Sequence, residues 1–213
     1  MTLALKQKML GLTPYEDSFQ AMKDFVTNRD TDTVDEIWYV EHPAVFTQGM
    51  AGRPEHLLMP GDIPVVQTDR GGQVTFHGPG QIVSYLMIDI ARRQLGVRML
   101  VELLEQAVIN LLAEYQVTAT GDRNAPGVYV DSAKVAALGL RVRKHSTYHG
   151  LSLNVDVDLE PFQRINPCGY QGLKVTSLQT LGITDTIESV REKLHYHLTS
   201  VLNYQHEPLT HAA

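Results

Sequence analysis

Cysteine is the scarcest reactive group in this chain, with one thiol in 213 residues. A lone thiol excludes an intrachain disulfide framework and any metal site built from several thiolates. Positive charge is also short: 18 Lys and Arg stand against 24 Asp and Glu, a formal net charge of -6. That balance argues against general nucleic-acid binding. Nowhere does an apolar run approach the roughly 18 residues a membrane helix needs. Met1 to Lys8 also lack a basic segment followed by an apolar one, so a soluble, cytoplasmic protein is expected. No repeat, low-complexity tract or linker divides the chain, and it is read as one domain, 1–213, able to bury a single large core. Its 43% hydrophobic and 20% charged residues exclude a mostly disordered chain. The nine histidines hold no pair spaced four apart on an expected helix, and His195 and His197 fall on different helix faces. Neither a metal nor a cofactor is expected.

What is abundant is glycine, and it is concentrated. Four glycines and one proline fall among the twelve residues Arg70–Gln81, around the short apolar run Val74-Thr75-Phe76. Glycine permits positive φ and close approach to the backbone, while Arg70, Thr75 and His77 add a cation, a hydroxyl and an imidazole. Two readings stand at this point, a glycine-kinked hairpin and a ligand-holding loop. A dinucleotide fingerprint does not fit, because residues 82–88 have the β-branched look of a strand where that motif needs a helix.

Periodicity places the other elements. A helix is expected from Pro14 to Asn28, with Thr13 and Glu16 as a capping box, and strands over Asp35–Glu41, 63–68 and 82–89. The longest helix, Val97–Gln116, carries a wide leucine stripe that should cover one face of a sheet. Strands at 128–130 and 134–142 precede a hairpin partner at 148–155, and a last helix, 186–203, should be capped by Asp185. The segment 162–178 reads as irregular, and the polar tail from Gln205 as frayed. Strands joined mainly by hairpins, with helices between them, indicate an α+β fold with a mixed or antiparallel sheet flanked by helices.

Cys168 sits in Asn166-Pro167-Cys168-Gly169-Tyr170, a rigid turn rather than an apolar run. A thiolate is a nucleophile, and it needs a cation, a base or oriented amides nearby. Lys134, His77 and His149 are available, each at an expected strand edge and the two histidines beside a glycine. Lys134 abuts the small apolar run Val135–Gly139, where loss of water would ease release of its proton. Cys168 and Lys134 are therefore the expected catalytic pair.

At this point six segments resemble one family in order and spacing: Arg70–Gln81, Pro126–Val128, Lys134–Gly139, His149–Val155, Pro167–Gly169 and Val175–Leu178. They are similar to the lipoyl(octanoyl) transferases, which move an octanoyl group from acyl carrier protein to a lysine of lipoate-dependent proteins. The resemblance implies the fold of biotin and lipoate protein ligases, a Cys168–Lys134 dyad and no cofactor. It implies a substrate pocket from Arg70, Gly71, Gly72, Gln73, Val74, Thr75, Phe76 and His77, from Ala137, Leu138 and Gly139, and from Gly150, Leu151 and Ser152, with His149 in support. The implied partners are acyl carrier protein as donor and, as acceptors, lipoyl domains of 2-oxoacid dehydrogenase E2 subunits and the glycine cleavage H protein.

Val74, Phe76, Ala136, Leu138 and Leu151 are candidates for an acyl tunnel and equally for core. Amides near Cys168, Gly71-Gly72 or Gly78 are candidates for holding an oxyanion. Residues 120–150 carry five cations against two carboxylates, and Arg141, Arg143 and Lys144 are expected to steer an acidic partner. The rival functions are an ATP-dependent lipoate or biotin ligase, a Cys-His thioesterase or peptidase using His77 or His149, and a non-catalytic module that holds an acylated protein.

Overall fold

The computed structural model describes residues 4–209. Seven strands form the main sheet, in the order β1 (Leu5–Leu12), β2 (Asp35–Glu41), β6 (Gln81–Met87), β10 (Ser146–Asn154), β9 (Ala133–Arg143), β8 (Gly127–Val130) and β7 (Thr120–Gly121). Only β1 and β2 run parallel; every other neighbouring pair is antiparallel. A second sheet holds β4 (Val65–Gln67), β3 (Val45–Gln48) and β5 (Val74–His77), so the expected mixed α+β architecture is present.

Strand alternation sends side chains of β2 and β6 to two different cores. Ile37, Tyr39, Ile82 and Leu86 face the stripes of α2 (Val97–Glu114) and α3 (Ile187–Val201), including Leu104, Leu111, Leu194 and Leu198. Trp38, Val40, Val83 and Tyr85 face the other way, onto Met22 and Val26 of α1 (Tyr15–Asn28). The small sheet has its own aromatic core, in which Phe76 meets Phe46 at a tilt, with centroids 5.5 Å apart, and Phe162 edge to face at 5.4 Å.

Several local expectations need correction. Thr13 does not cap α1: its amide is tied to the Glu41 carbonyl and its hydroxyl donates to the Leu10 carbonyl, which holds the residue outside the helix. The cap of α3 is Thr186, which accepts from the Ser189 amide at 3.3 Å; the Asp185 carboxylate is engaged by Tyr115 and Lys193. Strands β1 and β3 add to the expected elements: Leu5-Lys-Gln-Lys-Met has no β-branched residue to mark the first, and the second is only four residues long and begins two residues after Pro43. The tail is not frayed over 205–209, where the Glu207 carbonyl accepts from His195 and Leu209 is buried. Its last four residues lie outside the described ones.

Candidate active site

Lys134 stands on β9, and its backbone captures the segment that follows the cysteine. Its amide donates to the Lys174 carbonyl at 2.8 Å, and its carbonyl accepts from the Thr176 amide at 2.9 Å. This bridge, Lys134 to Val175, brings the turn Pro167–Gly169 beside the lysine across 34 residues of chain. Cys168 Sγ lies 3.0 Å from Lys134 Nζ as a result. Cys168 itself has φ +56, a left-handed conformation costing roughly 1–3 kcal/mol in a non-glycine residue. Pro167 and the amides of Gly169 and Tyr170, bonded back to Asn166 and Pro167, enforce it.

Lys134 is almost wholly buried, at 3% exposure. Its ammonium donates to the Pro126 carbonyl at 3.1 Å and sits 5.1 Å from the centroid of the Tyr129 ring. A Cβ at Gly127 would lie 2.8 Å from Lys134 Cε and 3.0 Å from Nζ, so this position must be glycine for the amine to reach the sulfur. Burial, the largest single influence, pulls the Lys134 pKa down, but Cys168 and Tyr129 together outweigh it and leave the group above the usual lysine value. The sequence-based expectation that burial would ease proton loss is thus reversed while the thiolate is present.

From Cys168 a pocket runs over the α1 face of the main sheet. Arg70, Gly72, Gln73, Val74, Thr75 and His77 wall one side; Ala137, Leu138 and Gly139 of β9 and His149, Gly150, Leu151 and Ser152 of β10 wall the other. Two expected members lie elsewhere. Phe76 is packed against Phe46 and Phe162, and Gly71 faces a separate outer cleft while its amide bonds the Leu140 carbonyl. Ala136 belongs to the helix-side core and not to a tunnel. The Gly71 and Gly169 amides are already used, on Leu140 and Asn166, so neither is free for an oxyanion. Tyr15, Val83 and Tyr85 also line the pocket and were missed, although the period-2 alternation of β6 puts Val83 and Tyr85 on one face.

The pocket walls are unusually polar for their burial. Arg70 is turned inward, its guanidinium donating to the Thr47 carbonyl at 2.6 Å and to the Gly71 carbonyl at 2.9 Å, so it ties β3 to the glycine loop. His77 is buried between Gln81 and Thr47, and burial, with smaller contributions from His42, Arg70 and His149, pushes it down to about 3. His42 donates from Nδ1 to the Thr13 carbonyl and accepts from Tyr85 at Nε2; burial pushes it down to about 4. His149 donates from Nε2 to Asp69 at 2.9 Å, which leaves Nδ1 as a buried acceptor without a partner at the pocket wall. Among the described residues no three His, Cys, Asp or Glu side chains converge as metal ligands would. Nor, among them, is any helix long and apolar enough to cross a membrane. Arg143 and Lys144 are exposed where β9 turns into β10, and neither they nor Arg141 forms an ion pair among the described residues.

Residues 14–199 match the lipoyl protein ligase A/B catalytic-domain family. The octanoyltransferase of Pseudomonas putida (strain W619) is 58% identical over 204 residues, covering 96% of this chain and 95% of that protein. The bipartite lipoate protein ligase of Thermoplasma acidophilum superposes with a TM-score of 0.75 at 15% identity, over 98% of this chain and 88% of that one. Biotin protein ligase from Aquifex aeolicus superposes at 0.56 with 13% identity, over 95% and 70%. At those identities the two ligases speak for the fold alone.

Proposed function

The chain belongs to the lipoyl protein ligase A/B catalytic-domain family and, within it, to the octanoyltransferases, and from that premise we propose a two-step acyl transfer through Cys168. The donor is octanoyl acyl carrier protein. The acceptor is the lysine amine of a lipoyl domain, as carried by 2-oxoacid dehydrogenase E2 subunits and the glycine cleavage H protein. The single observation that carries the reading is the 3.0 Å approach of Lys134 Nζ to Cys168 Sγ.

In the first step the Cys168 thiolate attacks the donor thioester carbonyl. The C–S bond to the carrier breaks, an octanoyl-Cys168 thioester forms, and the Lys134 ammonium gives its proton to the departing carrier thiolate. The acyl chain lies in the buried pocket, where each methylene removed from water contributes about 0.8 kcal/mol, so pocket depth sets chain length. One thioester replaces another and the acyl group stays reactive.

The second step exploits the opposing influences on Lys134. Burial disfavours its charge, and the adjacent thiolate restores it. Acylation removes the Cys168 charge and hydrogen bond, so burial is opposed chiefly by Tyr129, the Lys134 pKa falls, and its amine can act as the base. The incoming amine forms the C–N bond, the C–S bond breaks, and the amine proton passes to Lys134, which again pairs with the freed thiolate. Proton count and charge return to the starting state. Arg141, Arg143 and Lys144 supply a cationic rim suited to an acidic carrier.

An ATP-dependent ligase needs no such sulfur, and a Cys-His hydrolase would need an imidazole at the thiol. Neither His77 nor His149 bonds Cys168; their ring nitrogens engage Gln81, Thr47 and Asp69. Intact-mass analysis after mixing the protein with octanoyl acyl carrier protein tests the reading. One added octanoyl group, absent in Cys168→Ser and discharged by a lipoyl domain, is expected; no adduct on the unaltered protein would refute it.

A further inference from the structure

Two openings meet at Cys168, and they differ in what else they reach. The pocket over the α1 face is walled mostly by buried side chains and does not reach Lys134. An outer cleft on the other side of the glycine loop reaches both Cys168 and Lys134. Val97 and Val101 from the first turns of α2, Leu138 and Leu140 from β9, Pro126 and Tyr170 line it, with Val97 at 42% and Tyr170 at 47% exposure on its rim. Val97 and Val101 are four residues apart and so share one helix face. A small recess that also touches both groups is enclosed by Asn154, Phe162 and Val175 and offers no route from the surface comparable to the cleft.

We propose that this cleft is the entry channel for the aliphatic stem of the acceptor lysine, and that Val97 and Val101 are positioning residues for it. The inference rests on the two-step reading above and assigns it a route. The second step needs the amine nitrogen to meet two atoms at once, the acyl carbon on Sγ and the lone pair of Lys134 Nζ. With the octanoyl chain filling the buried pocket, the cleft is the surface-open approach that exposes both. Its lining suits a lysine side chain, whose four methylenes lose water against Val, Leu and Pro while the amine reaches the polar end beside Pro126 and Lys134. The departing thiolate of the first step also meets Lys134, from which it takes its proton, but the thiol of a small donor needs no aliphatic stem seated along Val97 and Val101, whereas the amine arrives on one.

The test separates the half-reactions. Octanoyl-Cys168 formation from a small donor, octanoyl N-acetylcysteamine, is timed first; discharge of the acyl-enzyme to a lipoyl domain is then timed in a single turnover. Val101→Trp should slow discharge by on the order of tenfold or more, through misplacement of the amine, and slow acylation by the small donor, whose thiolate also meets Lys134, several-fold less. Val97→Trp, at an exposed position where the fold tolerates bulk, should show the same split more weakly, and Val101→Ile should restore the rate. Equal slowing of both half-reactions in Val97→Trp, or unchanged discharge in both tryptophan variants, would overturn the assignment. If the unaltered protein takes up no octanoyl group, the two-step reading itself falls, which is a different result from an acyl-enzyme that discharges normally with the cleft filled.

Discussion

The two faces of the seven-stranded sheet are built from the same strands and do different work. On the helical face, Ile37, Leu86, Leu104, Leu111, Leu194 and Leu198 form an aliphatic core whose one buried imidazole, His195, is bonded to Tyr39 and to the Glu207 carbonyl. On the other face, α1 and the small sheet enclose Arg70, His42, His77, Tyr85 and His149, buried polar groups that contribute less to stability than well-packed apolar residues would. The first face makes the fold stable, and the second gives up some of that stability to hold a pocket and a cysteine in the left-handed conformation. Substitutions should therefore separate the two: chemistry lost at little cost in stability on one side, stability lost without specific damage to chemistry on the other.

The largest effect is expected at Lys134. Lys134→Met keeps the stem and removes the charge, and should lower octanoyl transfer by roughly 10²–10⁴-fold. Its urea midpoint should change little, because the half-buried Cys168 is then left as a neutral thiol and not as an unpaired buried charge. A midpoint that falls in step with activity would mean that Lys134 is structural. On the opposite face, Leu104→Ala should cost about 2–5 kcal/mol of unfolding free energy while folded molecules keep their turnover number; a specific loss of turnover would erase the distinction between the faces.

A smaller and graded effect should come from acid. His42, His77 and His195 are held neutral by burial at about 4, about 3 and about 4, against about 6.5 for an exposed imidazole. Because the unfolded chain binds protons that the folded one refuses, their contribution is intact above about pH 6.5 and is lost as pH falls toward those values. Urea unfolding should show stability falling steadily from about pH 6.5 to about pH 5, and His42→Gln should flatten the slope. An unchanged slope would mean that His42 is not the neutral acceptor of the Tyr85 hydroxyl.

The same division explains how far the sequence could be read. Leucine periodicity made α2 and α3 legible, and the glycine and proline punctuation marked the loops at 70–81 and 166–170, because both signals are local. What brings those loops together is not local. The backbone pairing of Lys134 with Lys174 and Thr176, which brings the amine to the sulfur, leaves no mark on composition or periodicity. Phe76 shows the limit from the other side: it sits inside the glycine-rich segment but alternates away from the pocket into an aromatic cluster. Tyr15 was visible only as the start of a helix, and its place on the pocket wall depends on how α1 crosses the sheet. The outer cleft joins α2, β9 and two loops, so no single stretch of sequence announces it.

On the proposed route Lys134 is held charged at rest by its contact with Cys168 and loses that support on acylation. Side-chain nitrogen NMR of Lys134, titrated in the resting protein and in the octanoyl-enzyme, addresses it without passing through turnover. The expected result is an amine that titrates above the ordinary lysine value at rest and below it once the sulfur carries the acyl group; the same titration in both states would contradict it.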